Sequence, residues 1–160
     1  MSEAARGDRA RARSVARLAA VQALYQMDIG GTDLADILAE RAAGTTCRDA
    51  DGETLAEPDL DFFRDLVEGV VRAQGSLDPA INASLASGWT LARIDATLRA
   101  ILRAGAYELS ARPDVPFKVA ITEYVDLAHA FFDDAEPAVV NGVLDRLARE
   151  FARTGVVGEG

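Results

Sequence analysis

The chain has 160 residues, a formal net charge of −9 and a sequence pI near 4.6, which fits one domain and argues against a surface coated in positive charge for duplex DNA. Its single cysteine, Cys47, and single histidine, His129, exclude an intrachain disulfide, a cysteine zinc site and a multi-histidine metal site, so no metal or cofactor is expected. Apolar residues make up 49% and aromatics only 6%, and the longest apolar runs fall far short of the roughly 20 residues that span a bilayer; the expectation is a helical, membrane-free, cytoplasmic protein.

Hydrophobic spacing is helical almost throughout. A first helix is predicted from about Asp8 to Ile29, with Val15, Leu18, Val21, Tyr25 and Ile29 as its apolar stripe and Gly30-Gly31 as its end. Thr32 can cap a short second helix that turns Leu34, Ile37 and Leu38 inward. Residues 44–57 are polar, acidic and aperiodic, and read as a long loop. Pro58 suits the first turn of a third helix with Phe62, Phe63, Leu66, Val67, Val70 and Val71 on one face. Ser76 or Asp78 can cap a fourth, carrying Leu77, Ile81 and Leu85 and ending at Gly88. A long buried helix follows from Leu91 to Leu109, stopped by Pro113. Pro116 opens the next, with Asp114 as a candidate cap, and Pro137 opens the last, with Val140, Leu144, Leu147 and Phe151 along one side. The result is one all-α domain over 1–160 with about seven helices, and with flexible ends at about 1–7 and 154–160.

The charge is unevenly distributed. Residues 1–27 carry +3, residues 28–68 carry −9, residues 69–112 carry +2 and residues 113–160 carry −5. Arg6, Arg9, Arg13 and Arg17 are spaced three, four and four apart, which places them within an arc of roughly 80° on a helix. Arg11 lies outside that line. Guanidinium is always charged and matches phosphate bidentately, and it can stack on unpaired bases, as can Tyr25. The stripe therefore reads either as a phosphate-contacting face for single-stranded nucleic acid or as a solvated helix face. Three or four phosphate contacts give a salt slope of only roughly −2 to −3, so tight binding calls for a partner.

Four segments carry a family resemblance: RLAAVQALYQ (17–26), FFRDLVEGV (62–70), LRAGAYELSARPDVPFKVAITEYVDLA (102–128) and VNGVLDRLARE (140–150). Together they resemble the NusB family of bacterial transcription antitermination factors, from about Arg13 to Phe151. The resemblance implies an all-α fold of two small helical bundles packed across one another. It also implies binding of boxA-type single-stranded RNA in ribosomal RNA leaders, jointly with NusE, a small-ribosomal-subunit protein, in a complex with other Nus factors on RNA polymerase. No enzymatic activity is implied. Carried over by position, the RNA-contacting candidates are Arg9, Arg11, Arg13, Arg17, Tyr25, Lys118 and Asn141. The family often places an acidic residue, associated with NusE docking, just before the basic one in its A-I-L-R helix. Here Leu98 precedes Arg99, and this pair is the candidate partner contact. Before V-N-G the family often has a basic residue and phenylalanine; here Ala138 and Val139 stand there.

Gly142, inside a predicted helix, costs about 1 kcal/mol relative to alanine and points to close approach by RNA or by a neighbouring helix. Lys118 in a first helical turn opposes the helix dipole, which an anion would offset. Asp133-Asp134 reads as a solvated turn, His129 as an ordinary helical histidine, Cys47 as an incidental thiol and Trp89 as a core or hinge anchor. Two other functions stay open: a protein-binding scaffold or homodimer that masks the arginine face, and an RNA-targeting module for an RNA methyltransferase on a separate chain.

Overall fold

The computed structural model describes residues 2–42 and 57–154. Among them are six α-helices and no strand: α1 (Glu3–Gly30), α2 (Leu34–Ala42), α3 (Leu60–Ser84), α4 (Ala96–Ala111), α5 (Phe117–Phe131) and α6 (Glu136–Thr154). Cys47, nearly all of the predicted acidic loop and residues 155–160 lie outside the described residues.

The count of six rather than seven comes from α3. The predicted third and fourth helices are one continuous 25-residue helix with Pro79 inside it. Leu66, Val70, Leu77 and Ile81 are all buried and fall within an arc of about 60°, so one apolar stripe runs through the expected break. Ser76 does not cap; its hydroxyl donates to the Ala73 carbonyl at 3.0 Å. The missing Pro79 N–H leaves the Gly75 carbonyl without its helical partner.

The other boundaries move for local reasons. α1 starts five residues early, with Ser2 accepting from the Ala5 N–H. Asp33, not Thr32, caps α2, and Asp59 caps α3, which leaves Pro58 just before the cap rather than in the first turn. Asp95 caps α4, which leaves Leu91 and Ile94 in the preceding turn. There the Leu91 N–H donates to Asn82 Oδ1, so Leu91 is buried without being helical. α5 has no side-chain cap: Pro116 takes the N-cap position and Asp114 is engaged elsewhere.

One core joins buried side chains from all six helices. α4 runs through it, packing against α1, α3, α5 and α6. Leu98, Ile101, Leu102 and Ala104 on α4 are fully buried. Each large aliphatic group contributes about 1.5–3 kcal/mol. Close approach of α3 to α4 is set at Gly69, where a Cβ would lie 2.0 Å from the Tyr107 ring. The buried part of α1 runs from Val15 to Leu24, so its first ten or so residues extend beyond the core edge. Ile29, expected inside, is 58% exposed at the opposite end.

Candidate nucleic-acid interface

The overhanging start of α1 lies against the start of α5. Between them is an open cleft of about 680 Å³, with Arg6, Arg9, Arg13 and Ser14 on the α1 side and Val115, Pro116 and Val119 on the α5 side. Val119 is 47% exposed there. The site therefore pairs guanidinium groups with an apolar wall, a combination that suits a sugar-phosphate backbone with an unpaired base beside it. Arg9 is exposed and, among the described residues, forms no ion pair. Arg11 is exposed and paired with Asp8.

Arg13 is more tightly held. Its side chain is 23% exposed, stacks at 4.6 Å on the Phe62 ring, and reaches Asp114 at 3.1 Å and Asp59 at 3.8 Å. Asp114 is also gripped bidentately by Arg112 at 3.0 and 3.1 Å. Burial raises the Asp114 pKa, but the hydrogen bonds and charges of Arg112, with help from Arg13, outweigh that and hold it below the ordinary value.

Arg17 does not belong to the outward line. It is 3% exposed and lies at the floor of the cleft. Its Nε and Nη2 donate to Glu108 at 2.9 and 2.7 Å, and Nη1 donates to Glu123 at 2.7 Å. Glu108 is 1% exposed and also accepts from the Tyr124 hydroxyl at 2.8 Å; Ser14 donates to Glu123. Burial alone would lower the Arg17 pKa, yet Glu108 and Glu123 raise it above its ordinary value, so this guanidinium is permanently charged and fully occupied. The physical reason is axial position. Arg17 shares its azimuth, within about 20°, with Leu24 on the buried face, whereas Arg6, Arg9 and Arg13 continue that face past the core edge.

Lys118 and Asn141 do come together. Both are exposed and line a second cleft of about 500 Å³ between α5 and α6, with Thr122, Asp145 and Arg149 nearby. Lys118 forms no ion pair among the described residues, and Asp145 in the same cleft is paired with Arg149 at 2.9 Å. The two clefts flank the first turns of α5, where Lys118 and Val119 are consecutive. Tyr25 lines neither. It is 38% exposed and about 18 Å along the axis of α1 from Arg13.

The candidate partner pair is corrected. Leu98 is fully buried, so it offers no surface. Arg99 donates to Asp28 at 2.8 Å and to the carbonyls of Leu91 and Ile94 at 2.9 and 3.2 Å, with its side chain 15% exposed. It fastens the turn before α4 to the end of α1. Arg103 beside it pairs bidentately with Asp78. Glu108, Glu123, Asp114 and the apolar wall were not singled out as site residues from sequence. Only Glu108 had a signal there: it lies seven residues after Ile101, on the face of a buried helix, where a carboxylate needs a cation.

Among the described residues, no helix is long and apolar enough to cross a membrane and no group of side chains is arranged for a metal. His129 and the Asp133-Asp134 pair are exposed, and Trp89 is half-buried at the core edge.

The NusB family model matches residues 14–149. The transcription antitermination protein NusB of Rhizobium rhizogenes is 55% identical over 138 residues, covering 86% of each chain. NusB of Rhodopseudomonas palustris is 54% identical over 147 residues, covering 91% of this chain and 87% of its own. Among solved structures, T. maritima NusB superposes with a TM-score of 0.71 at 29% identity, over 86% of this chain and 91% of that one. A crystal structure of antitermination factors NusB and NusE in complex with dsRNA aligns at a TM-score of 0.66 and 23% identity, over 88% of this chain and 98% of that one, a likeness of fold. A match that runs from Ser14 in α1 to Arg149 in α6, at this identity and with this helical fold, places the chain in the NusB family.

Proposed function

We propose that this protein is a non-catalytic transcription antitermination factor that binds boxA-type single-stranded leader RNA together with NusE. In that role it joins other Nus factors on RNA polymerase during ribosomal RNA synthesis. The family's division into two crossed helical bundles belongs to the same reading. The observation that carries it is the cleft between α1 and α5, where a chain of net charge −9 gathers arginines beside an apolar wall.

Arg9 and Arg13 hold phosphates, with Arg11 at the edge. Lys118 and Asn141 extend the contact into the second cleft, where Lys118 supplies a point charge and Asn141 both donates and accepts hydrogen bonds. Tyr25 contacts a separate stretch of RNA or the partner protein, as its distance from the clefts requires. Arg17 positions α1 and touches no RNA. The acidic remainder repels RNA nonspecifically, so the protein binds weakly alone and tightly with a basic partner.

Titration of a boxA-type RNA and a scrambled RNA, with and without NusE, tests the reading. It predicts preferential binding of the boxA-type RNA that tightens at least tenfold when NusE is present. Equal affinity for both RNAs, or no effect of NusE, would overturn it.

A further inference from the structure

The cationic cleft contains its own competitor. Four arginines of α1 line it; Arg17 is buried at the floor, Arg13 is the next nearest the core, and the Arg13 guanidinium is already paired with Asp114 at 3.1 Å. Asp114 lines the same cleft, with its side chain 46% exposed, and so occupies the Nη2 side of Arg13 that an incoming phosphate oxygen would otherwise take. A carboxylate and a phosphate oxygen offer a guanidinium the same bond, so only one of them can hold this side of Arg13 at a time. Asp114 is also kept in place by Arg112 through two hydrogen bonds from the other side.

We propose that Asp114 is an intramolecular phosphate mimic that sets the affinity of this cleft for RNA. Resting on the RNA-binding reading above, the inference adds how that binding is restrained. RNA whose remaining contacts hold its backbone against α1 displaces Asp114 from Arg13, and Asp114 stays paired with Arg112. RNA without those contacts finds Nη2 of Arg13 already paired with Asp114. The device works without any change of fold, because it exchanges one partner of a partly exposed ion pair for another. Since a phosphate contact carries no sequence information, Asp114 governs absolute affinity and salt dependence and leaves the ratio between sequences unchanged.

The experiment measures RNA binding with NusE present, across salt, for wild type, Asp114→Asn, Asp133→Asn, and Asp114→Asn in an Arg13→Ala background. Asp133 is exposed in the turn before α6, and its substitution changes net charge by the same amount away from the cleft. Asp114→Asn is expected to raise affinity about two- to fivefold for boxA-type and scrambled RNA alike, the scale of one partly exposed ion pair. The salt slope should steepen by about 0.7, one additional phosphate contact. Asp133→Asn should change neither, and on Arg13→Ala the gain should vanish. The proposal is overturned by unchanged or weaker binding of Asp114→Asn, by an equal gain in Asp133→Asn, or by a gain that persists without Arg13. Wild type that binds no RNA even with NusE would overturn the RNA reading itself; wild type that binds while Asp114→Asn matches it would overturn this inference alone.

Discussion

Replacing Arg17 with alanine separates a structural arginine from its RNA-facing neighbours. The substitution removes three charge-assisted hydrogen bonds, two to Glu108 and one to Glu123, together with a guanidinium stacked 4.9 Å from the Phe62 ring. Glu108 then stays behind as a carboxylate with a fully buried side chain, supported only by the Tyr124 hydroxyl. Removing one partner of a buried pair costs about 3–5 kcal/mol. For a chain of this length that corresponds to a fall in Tm of roughly 6–20 °C. Arg13→Ala, by contrast, breaks partly exposed ion pairs and a stack on Phe62 and should cost about 1–2 kcal/mol. Thermal and urea unfolding of both variants, with RNA affinity measured well below the transition, reads out the difference. Near-wild-type stability of Arg17→Ala combined with RNA binding reduced as far as in Arg13→Ala would show that the guanidinium faces ligand, and the reasoning would fail.

Two glycines in helices should respond in opposite directions. Gly69→Ala drives a Cβ to 2.0 Å from the Tyr107 ring, whose hydroxyl is tied to Asp65 at 2.7 Å, and should destabilise by about 1–3 kcal/mol. Gly142 has open space where its Cβ would go, so Gly142→Ala should stabilise the free protein by about 1 kcal/mol; chemical denaturation measures both. Tyr124 gives an alkaline signature: burial first, then the charge of Glu108, pushes its pKa well above the ordinary 10.0. The resulting stability is complete below pH 10 and is lost as pH rises above it toward the folded-state value. Circular dichroism should show alkaline unfolding whose pH dependence is shallower in Tyr124→Phe.

The helices were legible from periodicity because tertiary packing followed it. Leu98, Ile101, Leu102 and Leu109 on α4 and Val140, Leu144 and Leu147 on α6 are buried as their spacing predicts. Ends were less legible, because adjacent carboxylates compete to cap: Asp33 displaced Thr32, and Asp114 gave up its capping role to two arginines. In α3, the cap candidates Ser76 and Asp78 signalled a break that the continuous stripe from Leu66 to Ile81 overrode.

The arginine stripe was legible as an arc, but an arc says nothing about where along the axis the core stops. Arg17 and Leu24 point the same way and are both buried; Arg9 shares that side of the helix and lies past the core edge. The same blindness made Ile29 look like a core residue. Gly142 was read as a point of close approach by RNA or a neighbouring helix, and among the described residues no helix occupies that space. Lys118 and Asn141 are 23 residues apart, and their shared cleft depends on how α5 meets α6, which no local pattern encodes.

The most direct test of the RNA reading is the salt dependence of RNA affinity, with NusE present, for Arg9→Ala/Arg13→Ala beside wild type. Loss of two phosphate contacts predicts weaker binding and a log–log slope shallower by about 1.4. An unchanged slope and affinity, in a variant that unfolds at the wild-type temperature, would contradict the assignment of the α1–α5 cleft as the RNA-binding surface.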